Sequence, residues 1–136
     1  MARLYLDSNV VIRLLEEETS GRLGLSDRLA ALAGADTRYV ISDLVRLECL
    51  VKPLADDDVA LLGMYEAYFI STDVDMVALT RAVCGHAAAI RAKHRYETPD
   101  ALHLAAAIEA RCGCFVTADA RLTGFTDLAM VLLRPT

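Results

Sequence analysis

Short apolar runs alternate with longer helical stretches along this chain, and four acidic residues sit at the junctions. Asp7 follows Arg3-Leu4-Tyr5-Leu6 and precedes Ser8-Asn9. Glu48 lies in Ser42-Asp43-Leu44-Val45-Arg46-Leu47-Glu48, where a short strand gives way to a helix. Asp100 opens Thr98-Pro99-Asp100-Ala101-Leu102-His103, and Asp119 closes Cys114-Phe115-Val116-Thr117-Ala118-Asp119. Helices between short apolar strands imply right-handed crossovers and a mainly parallel sheet covered on both faces, an α/β architecture. Parallel strands share one carboxyl edge, and open α/β sheets bind ligands in the crevice along it. Four acids converging there repel one another unless cations lie between them. The pattern therefore predicts a metal site.

The local signals place the elements. Residues 3–6 read as a first strand, and Asp7 or Ser8 caps a helix through Val10 to Leu15 that Thr19-Ser20-Gly21 breaks. A second helix runs from Leu25 to Leu32, with Leu25, Leu29 and Leu32 on its apolar face and Gly34 at its end. Tyr39-Val40-Ile41 is a short strand, Ser42 or Asp43 starts the Glu48 helix, and Pro53 ends it. Asp56-Asp57-Asp58 favours the start of a helix through Tyr68-Phe69. Asp73 or Asp75 is expected to open a long helix through Val77, Leu79, Val83 and Ile90. Thr98 is the expected N-cap of the next helix, with Pro99 at its first position and Gly113 beyond its end. Cys114–Thr117 and Ala129–Leu133 are the remaining strands. Neither repeats nor low-complexity segments interrupt the pattern.

A chain of 136 residues is one domain, spanning 1–136, and buries about two-thirds of its unfolded surface. Its 55% hydrophobic content and mean hydropathy of +0.36 fit a packed sandwich with a subunit interface. No apolar run approaches the roughly 20 residues that span a bilayer. The start Met1-Ala2-Arg3-Leu4-Tyr5-Leu6-Asp7 lacks a secretory leader's apolar core, so a cytoplasmic location is expected, away from membrane. Cys49, Cys84, Cys112 and Cys114 form no C-x-x-C pair and do not group with His86, His94 or His103, which argues for buried free thiols rather than disulfides or zinc.

The net charge of −5 and pI near 5.1 depart from the basic stripe usual in nucleic-acid-binding proteins. Part of the negative charge belongs to the acid site, and more to Glu16-Glu17-Glu18 and Asp56-Asp57-Asp58. Basic residues gather in Arg91-Ala92-Lys93-His94-Arg95, which is either a solvated helix end or a phosphate-contacting rim.

Singly, each acid has a plainer reading. Asp7 suits a helix cap, Asp100 suits a helix dipole, Asp119 suits a turn, and Glu48 a solvent-facing helix position. The helix after Asp100 is apolar nearly all round, however, and a carboxylate at the start of a buried helix is costly unless paired or metal-bound. His103, one turn further on, either packs in the core or orients Asp100 by a hydrogen bond.

Together these residues resemble the motifs of PIN-domain nucleases. Asp7-Ser8-Asn9 after a strand, Ser42 and Glu48 six apart, Thr98-Pro99-Asp100-Ala101-Leu102-His103-Leu104-Ala105-Ala106-Ala107, and Val116-Thr117-Ala118-Asp119 follow the family order from Leu4 to Leu133. Within that superfamily the chain most resembles the toxins of VapBC toxin–antitoxin modules. The resemblance implies a three-layer α/β/α sandwich and a metal-binding, catalytic quartet of Asp7, Glu48, Asp100 and Asp119. It implies supporting roles for Ser8, Asn9 and Thr117. Ala118 and Ala120-Arg121-Leu122 depart from the more usual polar or aromatic setting of the last acid. It also implies RNA as substrate, a homodimer, and a VapB-like antitoxin that covers the pocket.

Carboxylates without soft ligands select Mg²⁺, with Mn²⁺ a substitute. The expected reaction is hydrolysis of an RNA phosphodiester by water, with Asp7 and Asp100 as primary ligands. Two other readings share the acidic pocket. A receiver-like or phosphoryl-transfer domain needs a lysine at a late strand end, and Lys52 and Lys93, the only lysines, do not sit there. A non-catalytic PIN-fold binding module has no use for four converging acids.

Overall fold

The protein is described here by a computed structural model covering residues 2–133; Met1 and residues 134–136, the ends of the expected 1–136 domain, lie outside the described residues. Its elements are β1 (Arg3–Leu6), α1 (Ser8–Thr19), α2 (Gly24–Leu32), β2 (Arg38–Ser42), α3 (Asp43–Ala55), α4 (Val59–Phe69), β3 (Val74–Val77), α5 (Arg81–His94), α6 (Thr98–Glu109), β4 (Cys114–Thr117), a 3-10 turn (Ala120–Gly124) and β5 (Ala129–Leu132). All strand pairs are parallel, in the order β3-β2-β1-β4-β5. Right-handed crossovers in that order put α1–α4 on one face and α5–α6 on the other. The result is a three-layer α/β/α sandwich.

The chain winds outward from β1 to β2 and β3, then returns to the far side of β1 with β4. The strand order therefore reverses between β1 and β4, where doubly wound sheets open a crevice at their carboxyl edge. Asp7 follows β1 directly, and Asp119 follows β4 by one residue.

The core lies where both helical layers meet the central strands. Tyr5, Leu6, Val40, Ile41, Phe115 and Val116 are fully buried, and the Tyr5 and Phe115 rings stack at 5.1 Å. Helix α6 presents Ala101, Leu104, Ala105, Ala106 and Ala107 with no exposed surface. Its small side chains bring the backbone close to the sheet, and Leu104 alone contributes about 2 kcal/mol by burial.

Five local expectations are corrected. Val74–Val77 is strand β3 rather than helix, and α5 begins after Thr80, whose hydroxyl accepts from Val83 N–H. Asp75 is not a cap: Arg38, at the start of the neighbouring β2, and Arg3, at the start of β1 one strand further in, hold its carboxylate at 2.6 and 3.0 Å. Pro53 lies inside α3 rather than ending it, because in the last turn its missing N–H costs one bond while its ring is buried. Helix α6 starts one residue early, with Glu97 at the cap and Thr98 already helical. Leu32 is largely exposed rather than on a buried face, and Cys84 is exposed while Cys49 and Cys112 are buried, all as free thiols. Among the described residues, no helix is long and apolar enough to cross a membrane.

Candidate active site

Asp7, Ser8, Asn9, Glu48, Asp100, His103 and Asp119 line a single pocket of about 260 Å³, with Ile12 and Pro99 as its apolar walls. Four elements deliver the acids: the β1–α1 junction, α3, the start of α6 and the segment after β4. All four sequence-predicted acids are thus brought together, with Ser8 and Asn9 beside them and Thr117 immediately beneath.

Asp7 is the most enclosed, at 6% exposure. Its Oδ1 accepts the Ser8 N–H at 2.8 Å, capping α1, while its Oδ2 accepts the Thr117 hydroxyl at 2.7 Å and the Asn9 amide at 3.3 Å. Asn9 spans the sheet's switch point, its Oδ1 accepting Ala118 N–H at 3.0 Å. Thr117 Oγ1 also accepts Asp119 N–H at 3.0 Å, so one hydroxyl ties the β1 acid to the β4 acid.

Glu48 reaches in from α3. Its Oε1 accepts the Ser8 hydroxyl at 2.7 Å and lies 2.6 Å from His103 Nε2. Burial pushes its pKa up, but the hydrogen bonds from His103 and Ser8 outweigh this and hold it below the usual carboxylate range. On its other nitrogen, His103 Nδ1 meets the Tyr5 hydroxyl at 2.8 Å, and that hydroxyl meets Ser42 Oγ at 2.8 Å. Ser42 sits at the N-cap of α3 but spends its hydroxyl on Tyr5 rather than on capping. Burial raises the Tyr5 phenol far above its ordinary value, so it stays protonated as a bridge.

His103 therefore supports Glu48, not Asp100 as the one-turn spacing suggested, although it is also the packed core residue of the plainer reading, at 2% exposure. Asp100 has its pKa raised by burial, with the charges of Asp7 and Asp119 adding to it and Arg121 opposing. Asp119 has its pKa lowered, chiefly by the side-chain hydrogen bond from Arg121. The turn that carries Arg121 is pinned by Phe125, buried against the His94 ring at 5.3 Å and the Tyr96 ring at 6.2 Å. Tyr5 and Arg121 are the members that reasoning from sequence missed. The Tyr5 hydroxyl gives no local signal, and Arg121 registered only as a departure from the expected setting of Asp119.

The open donors are carboxylate oxygens, with the His103 imidazole already committed, and this set fits a hard divalent cation rather than a soft one. Among the described residues, no three His, Cys, Asp or Glu side chains are drawn together closely enough to hold an ion as they stand. Protein donors hold three of the four carboxylates by hydrogen bonds and leave lone pairs free on each, so ligation needs the side chains to draw closer rather than to give up every bond. A larger cleft of about 360 Å³ runs between α1, α2 and β2. Leu14, Leu15, Leu29, Tyr39 and Tyr68 form its apolar wall, and it carries two acids, Glu18 and Asp73, against the four of the site above.

Comparison with known proteins gives a consistent result. The chain superposes on VapBC2 from Rickettsia felis, solved with a promoter DNA fragment, with a TM-score of 0.77 at 13% identity, covering 96% of this chain and 98% of that one. VapBC-1 from nontypeable Haemophilus influenzae gives 0.74 at 17% identity, over 96% and 98%. VapC20 from Mycobacterium tuberculosis, a sarcin-ricin loop cleaving toxin, gives 0.69 at 19% identity, over 97% and 99%. No curated protein matches by sequence. The PIN domain family model matches residues 4–128, and with the fold and motifs described above the chain belongs to the PIN domain family.

Proposed function

We propose that this protein is a Mg²⁺-dependent endoribonuclease acting as the toxin of a type II toxin–antitoxin system. The observation that carries the reading is the convergence of Asp7, Glu48, Asp100 and Asp119 on one pocket at the switch point of a parallel sheet. Asp7 and Asp100 are the primary ligands for Mg²⁺ or Mn²⁺, with Glu48 and Asp119 beside them. When bound, such an ion supplies positive charge against the scissile phosphate and makes the attacking water more acidic. Ser8, Asn9 and Thr117 fix the Asp7 carboxylate, and His103 with Ser8 fixes Glu48, so the ligands are oriented before substrate arrives. Lys93 and Arg95, exposed at the end of α5 a few residues before Asp100, form a phosphate-contacting rim for RNA.

The partners follow from the same likeness. Solved structures of this fold include toxin–antitoxin complexes, and a VapB-like antitoxin together with a second copy of this chain are the proposed partners in the cytoplasm. Leu47, Val51 and Leu54 form a stripe on α3, each more than half exposed, which fits a protein interface.

The receiver-like alternative is disfavoured because Lys52 lies in α3 and Lys93 in α5, away from any strand end. The test is incubation of the purified protein with total RNA, with Mg²⁺ or with chelator, followed by sequencing of the new ends. Discrete cuts that need Mg²⁺ and vanish in Asp100→Asn are expected. Intact RNA at millimolar Mg²⁺, with the antitoxin absent, would leave a binding module as the better reading.

A further inference from the structure

The pocket's acids fall into two pairs by the donors that hold them. Asp7 is fixed by Ser8 N–H, Asn9 and Thr117, and Glu48 by Ser8 and His103. Among the described residues, only Arg121 brings a cation to Asp100 and Asp119 within ion-pair distance. Its guanidinium takes the Asp119 carboxylate side on, with Nη2 at 2.6 Å from Oδ2 and Nε at 3.1 Å from both oxygens. The same Nη2 stands 3.8 Å from Asp100 Oδ2. The Asp119 hydrogen bond, then the charges of Asp119, Asp100 and Glu97, hold Arg121 firmly in its charged form.

We propose that Arg121 is the pocket's own counter-cation, which releases Asp119 and Asp100 when a divalent ion loads. The two cations compete for the same oxygens. This rests on the reading of the pocket as a divalent-metal site. Two features favour exchange over a permanent clamp. The Arg121 side chain is 71% exposed, so the guanidinium regains its hydration on leaving, and an ion pair so exposed is weak in net terms. The carboxylates it holds are hard oxygen donors that a divalent ion binds in preference to a monovalent organic cation. A residue that instead positioned Asp119 for ligation would help metal binding, which is the opposite sign.

The test is calorimetric titration of Mn²⁺ and Mg²⁺ into the RNA-free protein, as wild type, Arg121→Gln and Arg121→Lys, at constant pH and ionic strength. Arg121→Gln should bind the ion about three- to fivefold more tightly. Arg121→Lys keeps the charge without the two-pronged grip and should fall between. The rise in melting temperature on adding metal should be larger in Arg121→Gln than in wild type. Wild-type binding with Arg121→Gln equal or weaker overturns the proposal and leaves the metal-site reading intact. No binding by any of the three at millimolar ion overturns both.

Discussion

His103 Nε2 lies 2.6 Å from Glu48 Oε1, and through it the fully buried hydroxyl of Tyr5 reaches an acid on a different helix. Since Glu48 is held ionised and can only accept, Nε2 carries the hydrogen and Tyr5 closes the ring's other side. His103→Ala removes the donor from Glu48 and leaves the Tyr5 hydroxyl with Ser42 alone. The expected cost is about 2 kcal/mol of stability and roughly 10- to 100-fold in cleavage. Denaturant unfolding and RNA cleavage measure the two losses separately. Undiminished cleavage by a folded variant would remove Glu48 positioning from the account.

Asp100 is the acid least compensated in the absence of metal. Burial and the charges of Asp7 and Asp119 raise its pKa, so ionisation at neutral pH destabilises the folded state. Asp100→Asn should therefore melt higher than wild type in chelator, by about 1 kcal/mol or roughly 3–5 °C, while cleavage is nearly abolished. The difference should close as pH falls below the ordinary carboxylate range, where both states carry the proton. A melting temperature lower than wild type at neutral pH would show that like-charge repulsion does not dominate there.

At the opposite edge of the sheet the sign reverses. The Arg38 hydrogen bond, with the Arg3 hydrogen bond and the charges of both adding to it, holds the Asp75 carboxyl below its ordinary value although burial raises it. Its stabilisation is fully present above the unfolded value of about 3.9 and is lost as pH falls through the lower folded value. Asp75→Asn should cost at most about 1 kcal/mol at pH 7, because the side chain is 34% exposed and solvent screens the pairs. Melting curves of both proteins at neutral and at strongly acid pH should show a gap only at the former.

Arg111 turns the chain from α6 into β4 with φ 59°, a left-handed conformation that costs a side-chain-bearing residue about 1 kcal/mol. Arg111→Gly should raise stability by up to that amount at an exposed position distant from the chemistry. Unchanged cleavage with a higher denaturation midpoint is the expected pair of results. A fall in stability would mean that the arginine side chain makes contacts worth more than the backbone strain.

Local patterns made most of this molecule readable before its structure. Capping at Asp7, the helix stop at Thr19-Ser20-Gly21, the strands around 39–41 and at 114–117 and all four acids are properties of a few adjacent residues. What escaped depends on residues far apart. Val74-Asp75-Met76-Val77 reads as the start of a helix because its acid suits a cap, and only distant partners make it a strand: the pairing with β2, and Arg38 and Arg3 holding Asp75. His103 and Glu48 are 55 residues apart, so spacing pointed instead to Asp100, one helical turn away. The grip of Arg121 depends on the 3-10 turn after Asp119, which no pattern of period 2 or 3.6 announces.

Thr117 offers the sharpest probe of the switch point. Its hydroxyl donates to Asp7 Oδ2 at 2.7 Å and accepts Asp119 N–H at 3.0 Å, with no exposed surface. Thr117→Val keeps the shape and removes both bonds, leaving a part-buried N–H without that acceptor and a carboxylate oxygen short of a donor. That should cost about 1–3 kcal/mol and loosen both acids at once. Thr117→Ser restores the hydroxyl and should recover most cleavage while retaining a smaller stability loss from its missing methyl. If the Val variant kept cleavage while the Ser variant lost it, the methyl's packing rather than the hydroxyl's two hydrogen bonds would be holding the acids.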